Sequence, residues 1–391
     1  MYKHYSILSL ALLTLTLGVQ AQKSKPSQST NELTMLVGTN TAGSTSQGAY
    51  VYRFNQNTGK SSMVSNEKAG NPTYITATDN NKFAYSVSEF EDGKQGVISY
   101  QLDKQKGRLA RINFQTTVDA KVGKANGKSA IQDGSAPCFI LTNGKQVITA
   151  NYSGGDISVF PVAKNGGLLP QSQHFCFKGN AQGVVSHLHC VRFTPDGKYL
   201  IADDLGNDCI YRFTVNNKAD YSNKQNFLSG CTIIYKGDKG LGPRHITFSK
   251  DGRFAYLIGE LSDVVTVFSY HAGQLKPIQK LLAYDGGGHG SADIHISPDG
   301  KFLYTSHRLK KDGVAIFKID GNSGKLTSAG YQQTGRHPRN FNITPNGKYV
   351  LVACRDANEI EVYLRDKQTG LLTDTQQRIK LGKPVCIQWL K

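Results

Sequence analysis

Residues Gly242-Pro-Arg-His-Ile-Thr-Phe-Ser-Lys-Asp-Gly-Arg-Phe-Ala-Tyr-Leu-Ile-Gly-Glu260 read as two strands joined by a tight turn. From Pro243 to Phe248, polar and apolar residues alternate, the pattern of a half-buried strand. Lys250-Asp251-Gly252-Arg253 is turn chemistry, because Asp hydrogen-bonds its own backbone and Gly accepts a positive φ. Phe254 to Ile258 is a second apolar run of strand length.

The same grammar recurs outward in both directions. Turns of the type D/N-G/N-K/R stand at Asn80-Asn81-Lys82, Asn143-Gly144-Lys145, Asp196-Gly197-Lys198, Asp299-Gly300-Lys301 and Asn346-Gly347-Lys348. The strand before each opens at Pro72, Pro137, Leu188, Ser291 or Pro338, and a seventh opening, Pro384-Val-Cys-Ile-Gln-Trp, ends the chain. Spacings of roughly 46 to 65 residues fit one four-stranded unit per repeat. The seventh unit lacks its later strands, and Met35-Leu-Val-Gly-Thr with Gly48-Ala-Tyr-Val-Tyr-Arg-Phe supplies its second and third. The pattern predicts an all-β fold: a seven-bladed β-propeller of four-stranded antiparallel blades, its ring closed by strands from both termini. Closure also removes exposed sheet edges.

Residues 1–21 have the form of a signal peptide, with Lys3, an apolar run from Ile7 to Val19, and the small-x-small site Val19-Gln20-Ala21. The apolar run is too short for a membrane span. Residues 22–33 read as a flexible leader and residues 34–391 as a single propeller domain. The expectation is an exported protein, periplasmic or secreted. Seven cysteines at 138, 176, 190, 209, 231, 354 and 386 show no CxxC and no metal-ligand spacing, and are expected mainly as buried thiols. The net charge of +17 favours anionic partners, yet no basic run or nucleic-acid motif occurs. A small anionic substrate fits better than nucleic acid. Oligomeric state is left open.

In a propeller, the openings of the first strands and the ends of the second strands share one mouth of the central channel. Alignment on the turn glycines puts His189, Arg244 and Arg339 at one repeat position, where other blades carry Thr73 and Ala292. Second-strand ends bring Glu89, Asp203, Asp204, Glu260, Arg308 and Arg355 to the same rim. His187 is expected on the face of His189, since strand side chains repeat every two residues. By the same alternation, His245 faces away from Arg244, packed between blades, although its place beside Arg244 keeps it among candidate binding residues. His295 reads as a hydrogen-bonded structural histidine, and Asp196, Asp251 and Asp299 as turn formers. Each arginine or glutamate alone is equally consistent with an ion pair or a solvated end; their coincidence at one mouth points to an active site.

With these residues in place, the chain resembles the seven-bladed propeller lactonases, which include the propeller-type 6-phosphogluconolactonases and the fungal carboxy-cis,cis-muconate lactonizing enzymes. The likeness is carried by Ser186-His-Leu-His-Cys-Val-Arg-Phe, Asp203-Asp-Leu-Gly-Asn-Asp, Gly242-Pro-Arg-His-Ile with Gly259-Glu260, Ser291-Ala-Asp-Ile-His-Ile, and His337-Pro-Arg-Asn-Phe. It implies a metal-free, cofactor-free site in which His189, Arg244, Glu260 and Arg339 act on a lactone or its open acid. His187, Asp204, His245, Arg308 and Arg355 would surround the substrate. In this reading Glu260 is the general base on water, the arginines hold an anionic group or the oxyanion, and His189 protonates the leaving ring oxygen. A lactonizing isomerase or lyase, and a non-catalytic exported propeller binding glycan or protein, are the alternatives.

Overall fold

The computed structural model describes residue 1 and residues 31–118, 133–223 and 225–391. The expected signal segment at 1–21, apart from its first residue, and the leader as far as residue 30 lie outside the described residues. Asn31–Lys391 forms one compact unit. It contains seven four-stranded antiparallel sheets. Blades are numbered here by their inner strands, so that blade 4 opens at Pro243 and blade 7 at Pro384.

Blade 7 joins the two ends of the chain. Pro384–Trp389 is its inner strand, followed outward by Glu32–Thr39, Gly48–Asn55 and Ser61–Lys68. Glu32 and Leu33 pair with Asn55 and Phe54, so the propeller begins two residues before the expected boundary at 34.

Within each blade, burial is deepest at the second strand and falls toward the outer one. The second strands, such as Phe254–Gly259 and Phe302–His307, are buried throughout, whereas outer strands such as Leu326–Gln333 alternate toward solvent. The blades lock together by a repeated device. The aromatic that follows the turn cation packs on a glycine in the next blade's outer hairpin, as Phe254 does on Gly324 and Phe302 on Gly370. Gly324 has φ 72°, and a Cβ there would collide with the Phe254 ring. Two residues on, Tyr256 and Tyr304 donate to the carbonyls of Gly324 and Gly370 at 2.9 and 2.7 Å. Cys138, Cys190, Cys209, Cys354 and Cys386 are buried, as expected.

One irregularity positions the site. In blades 2, 3, 4, 6 and 7, pairing of the inner and second strands skips one residue just after the inner strand opens. Pro243 faces Gly259 while His245 faces Ile258, leaving Arg244 as the extra residue. The same shift occurs around Cys138, His189 and Arg339. Such a bulge turns a side chain away from strict alternation.

Candidate active site

The bulged residues Cys138, His189, Arg244, Arg339 and Val385, with Thr73 from the unbulged blade 1, line one depression at the channel mouth. Because a bulge breaks the two-residue period, the next residue also turns inward at His245 and Asn340, and Tyr74 joins them from blade 1. This corrects the expectation that His245 packs between blades. A more spacious groove lined by Tyr284, Tyr331 and Lys311 lies on outer strands and shares no lining residue with this cluster.

Glu260 anchors the charges. Its Oε2 accepts from Arg244 Nε at 2.6 Å, and its Oε1 lies 2.9 Å from Arg308 Nη2. Burial opposes ionisation of Glu260, but Arg244, Arg308 and Arg339 outweigh it and hold the carboxyl below its ordinary 4.5. Arg244 is only 1% exposed, and its Nη1 donates to the Ala292 carbonyl. Arg308 is fixed by donating Nε to the Gly290 carbonyl at 2.7 Å. Arg339 is the most open of the three, with 21% of its side chain exposed and its nearest recorded carboxylate, Glu89, 4.0 Å away. Glu89 in turn accepts from the Thr73 hydroxyl.

Below the arginines lies a buried relay. Asp293 Oδ1 takes a hydrogen bond from His245 Nδ1 at 2.8 Å, and its Oδ2 takes one from His295 Nε2 at 2.9 Å and another from Asn340 Nδ2. Since Nδ1 of His245 carries the proton, Nε2 presents its lone pair to Arg244 Nη1, 3.4 Å away. Burial and the adjacent Arg244 push His245 down to about 4, so it is neutral near pH 7. Burial opposes ionisation of Asp293 as well, yet the two histidines hold it well below the usual carboxylate range. The inner strands of blades 4, 5 and 6 are thus tied through one carboxylate.

His189 is 4% exposed and its Nδ1 is buried without a hydrogen-bond partner. Burial, then Arg244, His245 and Arg339, hold its pKa well below 6.5. It is therefore a neutral imidazole at pH 7, which corrects its expected role as an imidazolium proton donor. His187 lies before its strand rather than within it, and its ring stacks on Tyr152 at 4.4 Å. Tyr152 meets His189 edge-on at 5.6 Å, so the two histidines flank one aromatic ring.

Two expected binding residues are engaged elsewhere. Asp204 is fully buried and accepts from Ser186 Oγ, the His187 backbone and both nitrogens of Asn207, at 2.6 to 3.0 Å. It clamps its own loop. Arg355 forms a two-pronged pair with Asp356 at 2.7 and 3.0 Å and reaches the cluster only through His337. Sequence reasoning missed Tyr152, which occupies the same second-strand exit position as Glu260, and Asp293, which read as part of an ordinary strand. Among the described residues, no group of three or more His, Cys, Asp or Glu is arranged to hold a metal ion.

Residues 34–389 match the family described as "Lactonase, 7-bladed beta-propeller", and the chain belongs to that family. Among its relatives, a 6-phosphogluconolactonase from Formosa agariphila is 34% identical over 366 residues, 90% of this chain and 98% of that protein. The periplasmic gluconolactonase PpgL of Pseudomonas aeruginosa superposes with a TM-score of 0.80 at 30% identity, over 92% of this chain and 99% of that one. A solved structure from Bacteroides fragilis is 49% identical, with a TM-score of 0.86, covering 94% of this chain and all of that one.

Proposed function

We propose that this protein is a lactonase that hydrolyses a sugar-derived lactone bearing an anionic group, at the channel mouth. The observation that carries the reading is the grouping of Arg244, Arg308 and Arg339 at one mouth, the first two ion-paired to Glu260 and the third left 4.0 Å from Glu89. Glu260 takes a proton from water as the water oxygen adds to the lactone carbonyl carbon. The developing oxyanion is stabilised by the Arg244 guanidinium, whose orientation is fixed before substrate arrives. Collapse breaks the ring C–O bond, and Glu260 returns the proton to the departing ring oxygen, so that one water has been added. Neutral His189 lines the depression beside the Tyr152 ring. The names of the relatives support a hydrolase over a lactonizing isomerase. An inert rim would bond both Arg244 and Arg339 to Glu260 and Asp204, and the observed contacts differ from that.

No metal is needed in this scheme, because guanidinium groups polarise the carbonyl and make the mouth repellent to a cation. A pH-stat assay across glucono-δ-lactone, 6-phosphogluconolactone and several γ-lactones, with a chelator present, tests the reading. Acid release above the Arg244→Ala control is the expected result; silence across the panel would overturn it.

Arg339, the open cation, is assigned to the substrate's anionic group. Arg339→Ala is expected to raise KM for 6-phosphogluconolactone by about 30- to 100-fold, the worth of a charge-assisted pair, while changing KM for the uncharged gluconolactone little. Equal changes for both substrates would remove Arg339 from that role. We also propose export, on the pattern of residues 1–21 and the periplasmic name of the Pseudomonas relative. Intact mass of protein recovered from the cell envelope fraction should begin at Gln22; a cytoplasmic protein beginning at residue 1 would refute it.

A further inference from the structure

Beyond the three arginines of the mouth, positive charge also gathers on the face opposite to it. First and second strands meet at a turn on the face opposite the mouth, and the third and fourth strands turn there too. Each of the six complete inner turns places one cation on that face: Lys82, Lys145, Lys198, Arg253, Lys301 and Lys348. All are exposed except the half-buried Lys348. The outer hairpins add a second circle, with Lys60, Lys106, Lys164, Lys218, Lys325 and Lys367. The carboxylates on this face are largely committed to turns or pairs. Asp251 pairs with Arg253 at 2.6 Å and Asp103 with Lys106 at 3.6 Å, offsetting those two cations, while Asp299 binds the buried Arg365 at 2.9 Å and Asp79 binds Lys391 at 2.6 Å. Asp196 and Asp320 accept hydrogen bonds within their own turns. The mouth face also carries matched pairs, as in Lys280–Asp238, Lys380–Glu359 and Arg355–Asp356, but, among the described residues, no circle of turn cations.

We infer that the face opposite the mouth docks the protein on an anionic lipid surface. Basic residues held near a negatively charged bilayer are each attracted to it, and the attraction fades within a Debye length. A ring with a cation on every blade matches a plane of phosphate headgroups, which can meet all blades at once. A linear polyanion would engage only an arc of it. Docking in this orientation leaves the lactone mouth open to solvent, so the two faces work without interference.

The test is co-sedimentation of the protein with phosphatidylglycerol–phosphatidylcholine vesicles and with pure phosphatidylcholine vesicles, at low and high salt. Binding is expected on the anionic vesicles only, and is expected to be lost at high salt. A variant carrying Lys82→Glu, Lys145→Glu, Lys198→Glu and Lys301→Glu should bind at least about tenfold more weakly. A control of equal net charge, carrying Lys68→Glu, Lys94→Glu, Lys178→Glu and Lys239→Glu on the mouth face, should retain binding. Lactone turnover should be unchanged in both, and the matching Lys→Gln set replaces the reversal variant if its turnover falls. Equal loss in both variants, no loss in the first, or retention on heparin without binding to vesicles would each overturn the assignment.

Discussion

Glu260→Gln is expected to lower kcat for lactone opening by about 10²- to 10⁴-fold, the usual worth of a positioned general base. The amide keeps one acceptor oxygen for Arg244 or Arg308, so the rim loses two ion pairs without losing its shape. Stability should fall by about 1–3 kcal/mol, measurable by denaturant unfolding alongside turnover. Turnover near the wild-type level with the fold intact would remove Glu260 from the reaction. The pH profile gives an independent check. A base with a depressed pKa stays ionised to lower pH, so activity is lost only as pH falls through that depressed value, below 4.5. His189 is held neutral by burial and its cationic neighbours, so no limb is expected near 6.5. A kcat/KM that drops around that value would restore a titrating histidine to the mechanism.

Asp293→Asn should produce a large loss of stability. The carboxylate is 2% exposed and receives His245, His295 and Asn340, so an amide turns a donor toward groups that are themselves donors. Breaking such a buried network costs about 3 kcal/mol, which for a domain of this length is a fall of roughly 4 °C in Tm. The folded-state pKa of Asp293 is lowered, so its contribution is present above the unfolded value and is lost as pH falls through the folded one. The variant should therefore show a flatter dependence of stability on pH in the acid range than the wild type. It also frees His245 to change tautomer, and Arg244 then loses the lone pair that fixes its Nη1. A drop in kcat of about 10- to 10²-fold, with KM little changed, is expected from that misplacement. A variant with lowered Tm but unchanged kcat would make Asp293 structural only.

The blade count, the pairing of both termini and the mouth grouping of Arg244, Glu260 and Arg339 were legible because they depend on period alone. What period does not carry is the extra residue after each strand opening. Strict alternation turns His245 away from Arg244, whereas the bulge brings both into the depression. Asp204 fails for a related reason. It pairs with Leu188 and is the last residue of its strand, equivalent to Gly259 rather than to Glu260, and the true exit position is the buried apolar Leu205. Tyr152 was recoverable by the same one-residue count. The basic turns form no basic run in the sequence, because their common face exists only once the strands are assembled.

Blade 7 has a consequence for how the chain is made. Its inner strand is the last to leave the ribosome, and its other three strands are the first to be synthesised within the domain. Six blades can be translated while Glu32–Thr39 still lacks its neighbour, a contact separated by nearly the whole length of the chain. Long-range closure of this kind is slow, because the entropy of bringing distant segments together is lost before the pairing rewards it. A nascent chain halted before Pro384 therefore holds His189, Arg244, Glu260, Arg308 and Arg339 and still has an open seam.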